Sequence, residues 1–126
     1  MNIPENLKYS KDHEWVLLTG SIARVGITDY AQDALGDVVF VQLPTTSIKV
    51  EAGASCSEVE STKSVSDIYV PVSGTIVSVN DALTNSPNLV NTDPYGDGWI
   101  MEIEVNDFLS VDNLMNAAEY RQLIEG

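Results

Sequence analysis

Hydrophobic and polar positions alternate with a period of two over much of this chain, the mark of strands with one buried face. The clearest run is Trp99, Met101, Ile103 and Val105, interleaved with Glu102 and Glu104. Ala23, Val25 and Ile27 alternate in the same way. Together, residues 13–18 and 21–27 predict a hairpin about Thr19-Gly20. After Ile27 the period changes. Thr28 can cap a short helix, Tyr30, Ala31, Ala34 and Leu35 recur at helical spacing, and Gly36 supplies a left-handed stop. Residues 38–43 are a nearly continuous apolar run ended by Pro44, which reads as a buried strand. A looser polar segment over 45–57 follows, and Pro71 and Gly74 punctuate the approach to a strand over 75–79. Residues 80–91 read as loop with room for one turn of helix, and the 93–98 run Asp-Pro-Tyr-Gly-Asp-Gly is turn chemistry throughout. A helix closes the chain, with Asn116 as cap, Glu119 three residues on, and Ala117, Tyr120 and Ile124 along one face.

The elements predict a mainly β fold with short helices, one after the first hairpin and one at the C-terminus. The 126 residues fit one domain, able to bury roughly two thirds of its unfolded surface. An internal echo bears on the architecture: residues 36–41 and 74–79 share a Gly-x-β-β-x-β pattern, 38 residues apart. Two such halves, neither able to bury its apolar face alone, can pair about a pseudo-twofold axis.

Residues 59–69 hold the chemistry. Two β-prone runs flank the polar break Ser61-Thr62-Lys63-Ser64, so Lys63 falls at a hairpin tip with its ammonium in water. A solvated turn lysine is the ordinary reading of such a position. With no second basic group beside it and no apolar pocket in the turn, Lys63 is not equipped for Schiff-base catalysis. A lysine on a rigid hairpin does suit attachment of a prosthetic arm by a modifying enzyme.

Charge narrows the partners. Six Lys and Arg against nineteen Asp and Glu give a formal net charge of −13, which excludes nucleic acid and disfavours anionic membranes. An acidic field suits docking to basic mouths of partner proteins, and serves solubility equally. No apolar run is long enough to cross a bilayer. Residues 1–11 carry neither a secretory signal nor a transit peptide, and with a chain starting at Met1 we expect a bacterial, cytoplasmic protein. The single cysteine, Cys56, has no disulfide partner and reads as a small strand residue. His13 is the only histidine and lacks the partners a metal site needs. Trp15 and Trp99 suit a core or a groove.

Glu60-Ser61-Thr62-Lys63, followed by Ser66-Asp67-Ile68-Tyr69 and Pro71-Val72-Ser73-Gly74, strongly resembles the lipoylation region of glycine cleavage system H proteins. Four further blocks keep the family's order: His13-Glu14-Trp15-Val16; Val25-Gly26-Ile27-Thr28-Asp29-Tyr30-Ala31-Gln32; Leu35-Gly36-Asp37-Val38-Val39-Phe40-Val41; and Asp93-Pro94-Tyr95-Gly96-Asp97-Gly98-Trp99. Collinear blocks from about Leu7 to Ile124 cover nearly the whole chain. The resemblance implies a two-sheet sandwich or flattened barrel of the lipoyl/biotinyl carrier type (a barrel-sandwich hybrid), a single lipoyl-carrier domain over 1–126. It implies that Lys63 bears covalently bound lipoic acid, with Glu60, Ser61, Thr62 and Ser64 presenting the hairpin to a lipoate ligase or lipoyl transferase.

The implied role is that of a non-catalytic shuttle. The arm takes an aminomethyl group from a pyridoxal-phosphate glycine decarboxylase and delivers it to a tetrahydrofolate-dependent aminomethyltransferase. An FAD-containing dihydrolipoyl dehydrogenase then reoxidises it. Glu14 and Asp67 match acids against which the loaded arm folds, where carboxylates would keep its nitrogen protonated and stop it expelling the thiolate. His13 would line the same cleft. This sequence departs from the family in having Thr62 and Ser64 where Val and Ala are usual, Asp12 where Ser or Glu is common, and Ser55-Cys56-Ser57-Glu58 in place of a more apolar approach. A biotinyl carrier would place Met on both sides of the lysine, and an acyl-carrying lipoyl domain would show Asp-Lys-Ala; neither pattern is present. An H-like lipoyl donor serving other enzymes is the remaining alternative.

Overall fold

The structure is a computed structural model that describes residues 2–125; Met1 and Gly126, the ends of the expected domain, lie outside the described residues. Among the described residues, nine strands form two antiparallel sheets. The larger contains β1 (Lys8–Tyr9), β2 (Glu14–Thr19), β3 (Ile22–Ile27), β5 (Lys49–Val50), β8 (Ser73–Val79) and β9 (Met101–Asp107), in the order β1-β2-β3-β9-β8-β5. The smaller contains β4 (Val38–Gln42), β6 (Ser55–Ser61) and β7 (Val65–Tyr69), in the order β4-β6-β7. Five helices, α1 (Asp29–Leu35), α2 (Ala82–Asn85), α3 (Leu89–Thr92), α4 (Phe108–Asp112) and α5 (Ala117–Glu125), fill the connections and the C-terminal end.

Period-two alternation becomes the core. Val16 on β2, Val25 on β3, Ile76 on β8 and Ile103 on β9 meet Val41, Val59 and Ile68 from the small sheet in one buried cluster. Gly74 lies at an irregularity where β8 pairs with β9, and a Cβ there would stand 2.0 Å from the Glu104 carbonyl oxygen. The two glycines of the internal echo therefore differ in kind: Gly36 ends a helix at φ 84°, whereas Gly74 allows a close backbone approach between the paired strands β8 and β9. Their strands, β4 and β8, belong to different sheets.

A second cluster joins the N-terminal segment to α5. Tyr9 and Tyr120 stack at 4.7 Å between centroids, with Trp15, Ile3 and Leu7 buried around them. The expected capping box is present: the Asn116 amide donates to Glu119 Oε1 at 3.0 Å and the Glu119 amide to Asn116 Oδ1 at 2.8 Å. Trp15 is core, and Trp99 is partly buried beneath the Arg24 guanidinium, 4.5 Å from its ring.

Five elements differ from the sequence reading. The 38–43 run is not uniformly buried: β4 is an edge strand, a bulge falls between Val38 and Phe40, and Val39 and Phe40 are exposed while Val38 and Val41 point inward. Residues 80–91 include α2 and the start of α3, each only one turn long. Neither the two-residue β1 nor α4, which Asp107 caps through the Leu109 amide, has a periodic signal long enough to read.

Candidate functional site

The β6–β7 hairpin presents Lys63. Its turn is closed by backbone and hydroxyl together: the Ser61 amide donates to the Ser64 carbonyl at 2.8 Å, and Ser61 Oγ accepts from the amides of Lys63 (3.2 Å) and Ser64 (3.1 Å). No residue of the turn has a left-handed backbone, which explains why no Asn-Gly is needed. Thr62, Lys63, Ser64 and Glu60 are exposed and Ser61 is half-buried.

The tip does not hang free. The Thr62 amide donates to the Asp37 carbonyl at 3.0 Å, and the Lys63 stem lies across Gly36, where a Cβ would come within 3.2 Å of Cε. The Gly36–Val38 corner beneath it is held from α3. Asn91 Oδ1 accepts from the Val38 amide at 2.8 Å, while its Nδ2 donates to the Gly36 carbonyl (2.9 Å) and to Gln32 Oε1 (3.0 Å).

A cavity of about 280 Å³ opens beside this base, between α1 and β7. Tyr30, Ala31, Ala34 and Leu35 of α1 form one wall; Ile27 and Ile68 add apolar surface; Asp12, His13 and Asp67 supply the polar groups. The face of α1 that its spacing marks as apolar thus lines a cleft, and no residue of the helix is fully buried.

The loop carrying Asp12 and His13 is tightly built. Ser10 Oγ accepts from the amides of Asp12 and Glu14, and the Thr28 amide donates to the His13 carbonyl at 3.0 Å. His13 sits at φ 68°, a left-handed conformation that a side chain seldom adopts and that local bonding here enforces. Its Nδ1 is 2.8 Å from the Tyr120 hydroxyl, which also pairs with Thr28 Oγ1 at 2.7 Å, and its ring leans on Tyr30. Burial lowers the His13 pKa, opposed by the charge of Asp12, so the imidazole is neutral at pH 7.

Glu14 corrects an expectation. It does not line the cleft with Asp67; it is 1% exposed, and Asp12 and Asp67 are the acids facing the cavity. As the first residue of β2 it points between the sheets, where Ser10 Oγ donates to Oε1 at 2.6 Å and the Tyr69 amide donates to Oε2 at 3.3 Å. Burial pushes its pKa up to about 8 against the lowering effect of those two bonds, so the carboxyl is protonated at neutral pH. Cys56 is partly buried on β6 with its thiol pushed up to about 12 by burial, which leaves it unreactive. Among the described residues no cluster of His, Cys, Asp and Glu can hold a metal ion, and no helix is long and apolar enough to cross a membrane.

Comparison with known proteins decides the family. The glycine cleavage H-protein model matches residues 7–126. The chain belongs to the glycine cleavage H-protein family. It is 53% identical over 125 residues to the glycine cleavage system H protein of Coprothermobacter proteolyticus, covering 98% of each chain. The H protein of Micrococcus luteus is 56% identical over 121 residues, covering 94% of each. The crystal structure of an H protein from Mycobacterium marinum superposes with a TM-score of 0.89 at 45% identity, covering 98% of this chain and all of that one. The two antiparallel sheets with short helices are accordingly the lipoyl-carrier sandwich of H proteins, as the resemblance implied. Two supporting residues, Asn91 and Ser10, are not legible in the sequence, because their partners are set by the folded loops.

Proposed function

We propose that the chain is the carrier component of a glycine cleavage system, with lipoate in amide linkage to Lys63 Nζ. The observation that carries this reading is an exposed lysine on a braced hairpin tip beside a cleft with apolar walls and acids at its mouth. Those residues fit the group. A primary amine in water is open to acylation, Ile27, Leu35 and Ile68 suit an alkyl and sulfur chain, and Asp12 and Asp67 suit an ammonium. When bound, lipoate supplies a dithiolane that accepts the one-carbon amine unit of glycine and is later reoxidised.

The residues of the chain hold and position; none catalyses. Ser61 fixes the turn, and Gly36 and Asp37 brace it, so that the arm sweeps from a fixed base. Glu60, Ser61, Thr62 and Ser64 present the lysine to the modifying enzyme. Asp12 and Asp67 favour the protonated amine in the cleft, neutral His13 and Tyr30 shape its wall, and Glu14 supports it from behind as a neutral acid. Thr62 and Ser64 are small enough for the turn, so lipoylation tolerates them. The domain is one lipoyl carrier over 1–126. Its partners in this role are a pyridoxal-phosphate glycine decarboxylase, a tetrahydrofolate-dependent aminomethyltransferase, an FAD-containing dihydrolipoyl dehydrogenase, and a lipoate ligase or lipoyl transferase. Its place is the cytoplasm of a bacterium, in keeping with its bacterial relatives.

Intact mass of the protein from its native host, with peptide mapping, tests the reading. A single lipoyl increment on Lys63, and glycine–bicarbonate exchange that is lost in Lys63→Arg, is the expected result. A biotin increment, or no modification in a host that lipoylates other proteins, would refute it.

A further inference from the structure

The bulge in β4 has turned two apolar side chains outward. Val39 is 53% exposed and Phe40 49%, in a strand whose neighbours Val38 and Val41 are core. Phe40 pairs with Glu60 on β6, and Glu60 with Val65 on β7, so the three share one row on the outer face of the small sheet. Val65, 57% exposed, is two residues from Lys63. The next row is Gln42 and Glu58, with Asp67 on the edge strand β7 where this face borders the cleft. The outer face of the small sheet is therefore an apolar strip interrupted by Glu60 and rimmed by Glu58, running directly to the lysine turn. Nothing in this fold uses it: the core is filled from the other face by Val41, Val59 and Ile68.

We propose that the apolar Val39–Phe40–Val65 strip is a docking surface for the enzyme that acylates Lys63, a partner whose active-site mouth carries an apolar ledge flanked by Lys or Arg. The inference rests on Lys63 being the lipoylated residue. Reach assigns the occupant. An unmodified lysine extends only about 6 Å from its Cα, so an enzyme acting on Nζ must seat itself against the hairpin. An enzyme acting on the far end of a long arm is free to dock elsewhere. Charge assigns the rim, since Glu58 and Glu60 on this face of a chain with net charge −13 complement basic groups. Apolar anchors surrounded by charged groups are how compact interfaces concentrate their affinity. The chemistry they serve is amide formation: Nζ attacks the carbonyl carbon of a lipoyl adenylate, AMP leaves, and the amine proton passes to solvent.

The test is steady-state lipoylation of the apo full-length chain by a lipoate ligase with lipoate and ATP, comparing wild type, Phe40→Ser, Val65→Ser, Phe40→Leu and, as control, Leu109→Ser, whose side chain is 71% exposed in α4. Phe40→Ser and Val65→Ser should each raise the KM for the carrier about tenfold, equivalent to about 1.4 kcal/mol. Their kcat should stay within twofold, while Phe40→Leu and Leu109→Ser behave as wild type and all melt cooperatively. Unchanged KM in both serine variants overturns the docking proposal and leaves lipoylation at Lys63 standing; so does an equal rise in Leu109→Ser. If wild type itself gains no lipoyl mass on Lys63, the carrier reading falls first and this proposal with it.

Discussion

Glu14 makes the molecule's stability pH-dependent in an unusual direction. Most acids in folded proteins are ionised and partnered, so stability falls as they are protonated. Glu14 is buried with two neutral donors, Ser10 Oγ and the Tyr69 amide, and its pKa rises from 4.5 to about 8. Between those values the folded chain holds a proton that the unfolded chain has released. The stabilisation is fully present below about pH 4.5 and is lost as pH rises towards 8. One proton corresponds to about 1.4 kcal/mol per pH unit, so from pH 6 to pH 7.5 Glu14 alone should withdraw about 2 kcal/mol. His13, with its lowered pKa, acts with the opposite sign below its ordinary value of 6.5, and must be removed from the comparison.

Glu14→Gln removes it. The amide is uncharged at every pH, and all other titrations are common to the two proteins. Its mismatch with two donors adds an offset, but the offset does not vary with pH. Urea unfolding of both proteins at half-unit steps from pH 5 to pH 8, at constant ionic strength, therefore reads Glu14 as the slope of their stability difference. The variant should gain on wild type by about 2 kcal/mol over pH 6–7.5. A difference flat within about 0.5 kcal/mol across that window would mean that Glu14 is ionised in the folded state, and the account of its burial would be wrong.

Gly74→Ala places a Cβ on the Glu104 carbonyl, and because backbone must move to relieve it the cost should be about 3 kcal/mol or more by thermal or urea unfolding. Tyr120→Phe deletes the hydroxyl shared by His13 and Thr28; we expect a loss of about 1–2 kcal/mol and faster amide exchange in α5, the helix that Tyr120 anchors. In lipoylated protein loaded with the one-carbon amine, replacing Asp12 and Asp67 together by Asn should speed release of formaldehyde several-fold, because the ammonium loses both carboxylates at the cleft mouth. An unchanged release rate would remove those acids from the protective role.

The parts of the fold legible in sequence are those whose cause is local. Glu102 and Glu104 alternate with buried neighbours because one strand face meets the core, and Asn116 and Glu119 bond each other three residues apart. Thr28 and Gly36 bracket α1 for equally local reasons: one caps the Ala31 amide, the other accepts a positive φ. The site resisted where burial and composition part company. Val39 and Phe40 have core composition and solvent exposure, since a bulge, which hydrophobicity does not encode, reverses their face. Glu14 has surface composition and core burial, since its donors come from a loop four residues back and a strand edge 55 residues on. The apolar stripe of α1 was visible, but whether it meets the core or lines a cleft depends on where β7 runs.

The same distinction explains how a carrier keeps its arm useful. A long arm on a loose hairpin would sweep solvent evenly and meet its own cleft rarely. Here the hairpin is bonded to Asp37 through Thr62, and the corner carrying Gly36 and Asp37 is clamped by Asn91 from more than fifty residues away. The Lys63 stem leaves from that corner, next to Leu35 and the cleft it lines. These bonds hold the origin of the side chain in place relative to the cleft that Asp12 and Asp67 line. On the proposed reading, an arm tethered at this fixed origin would meet the cleft at high local concentration without any permanent contact.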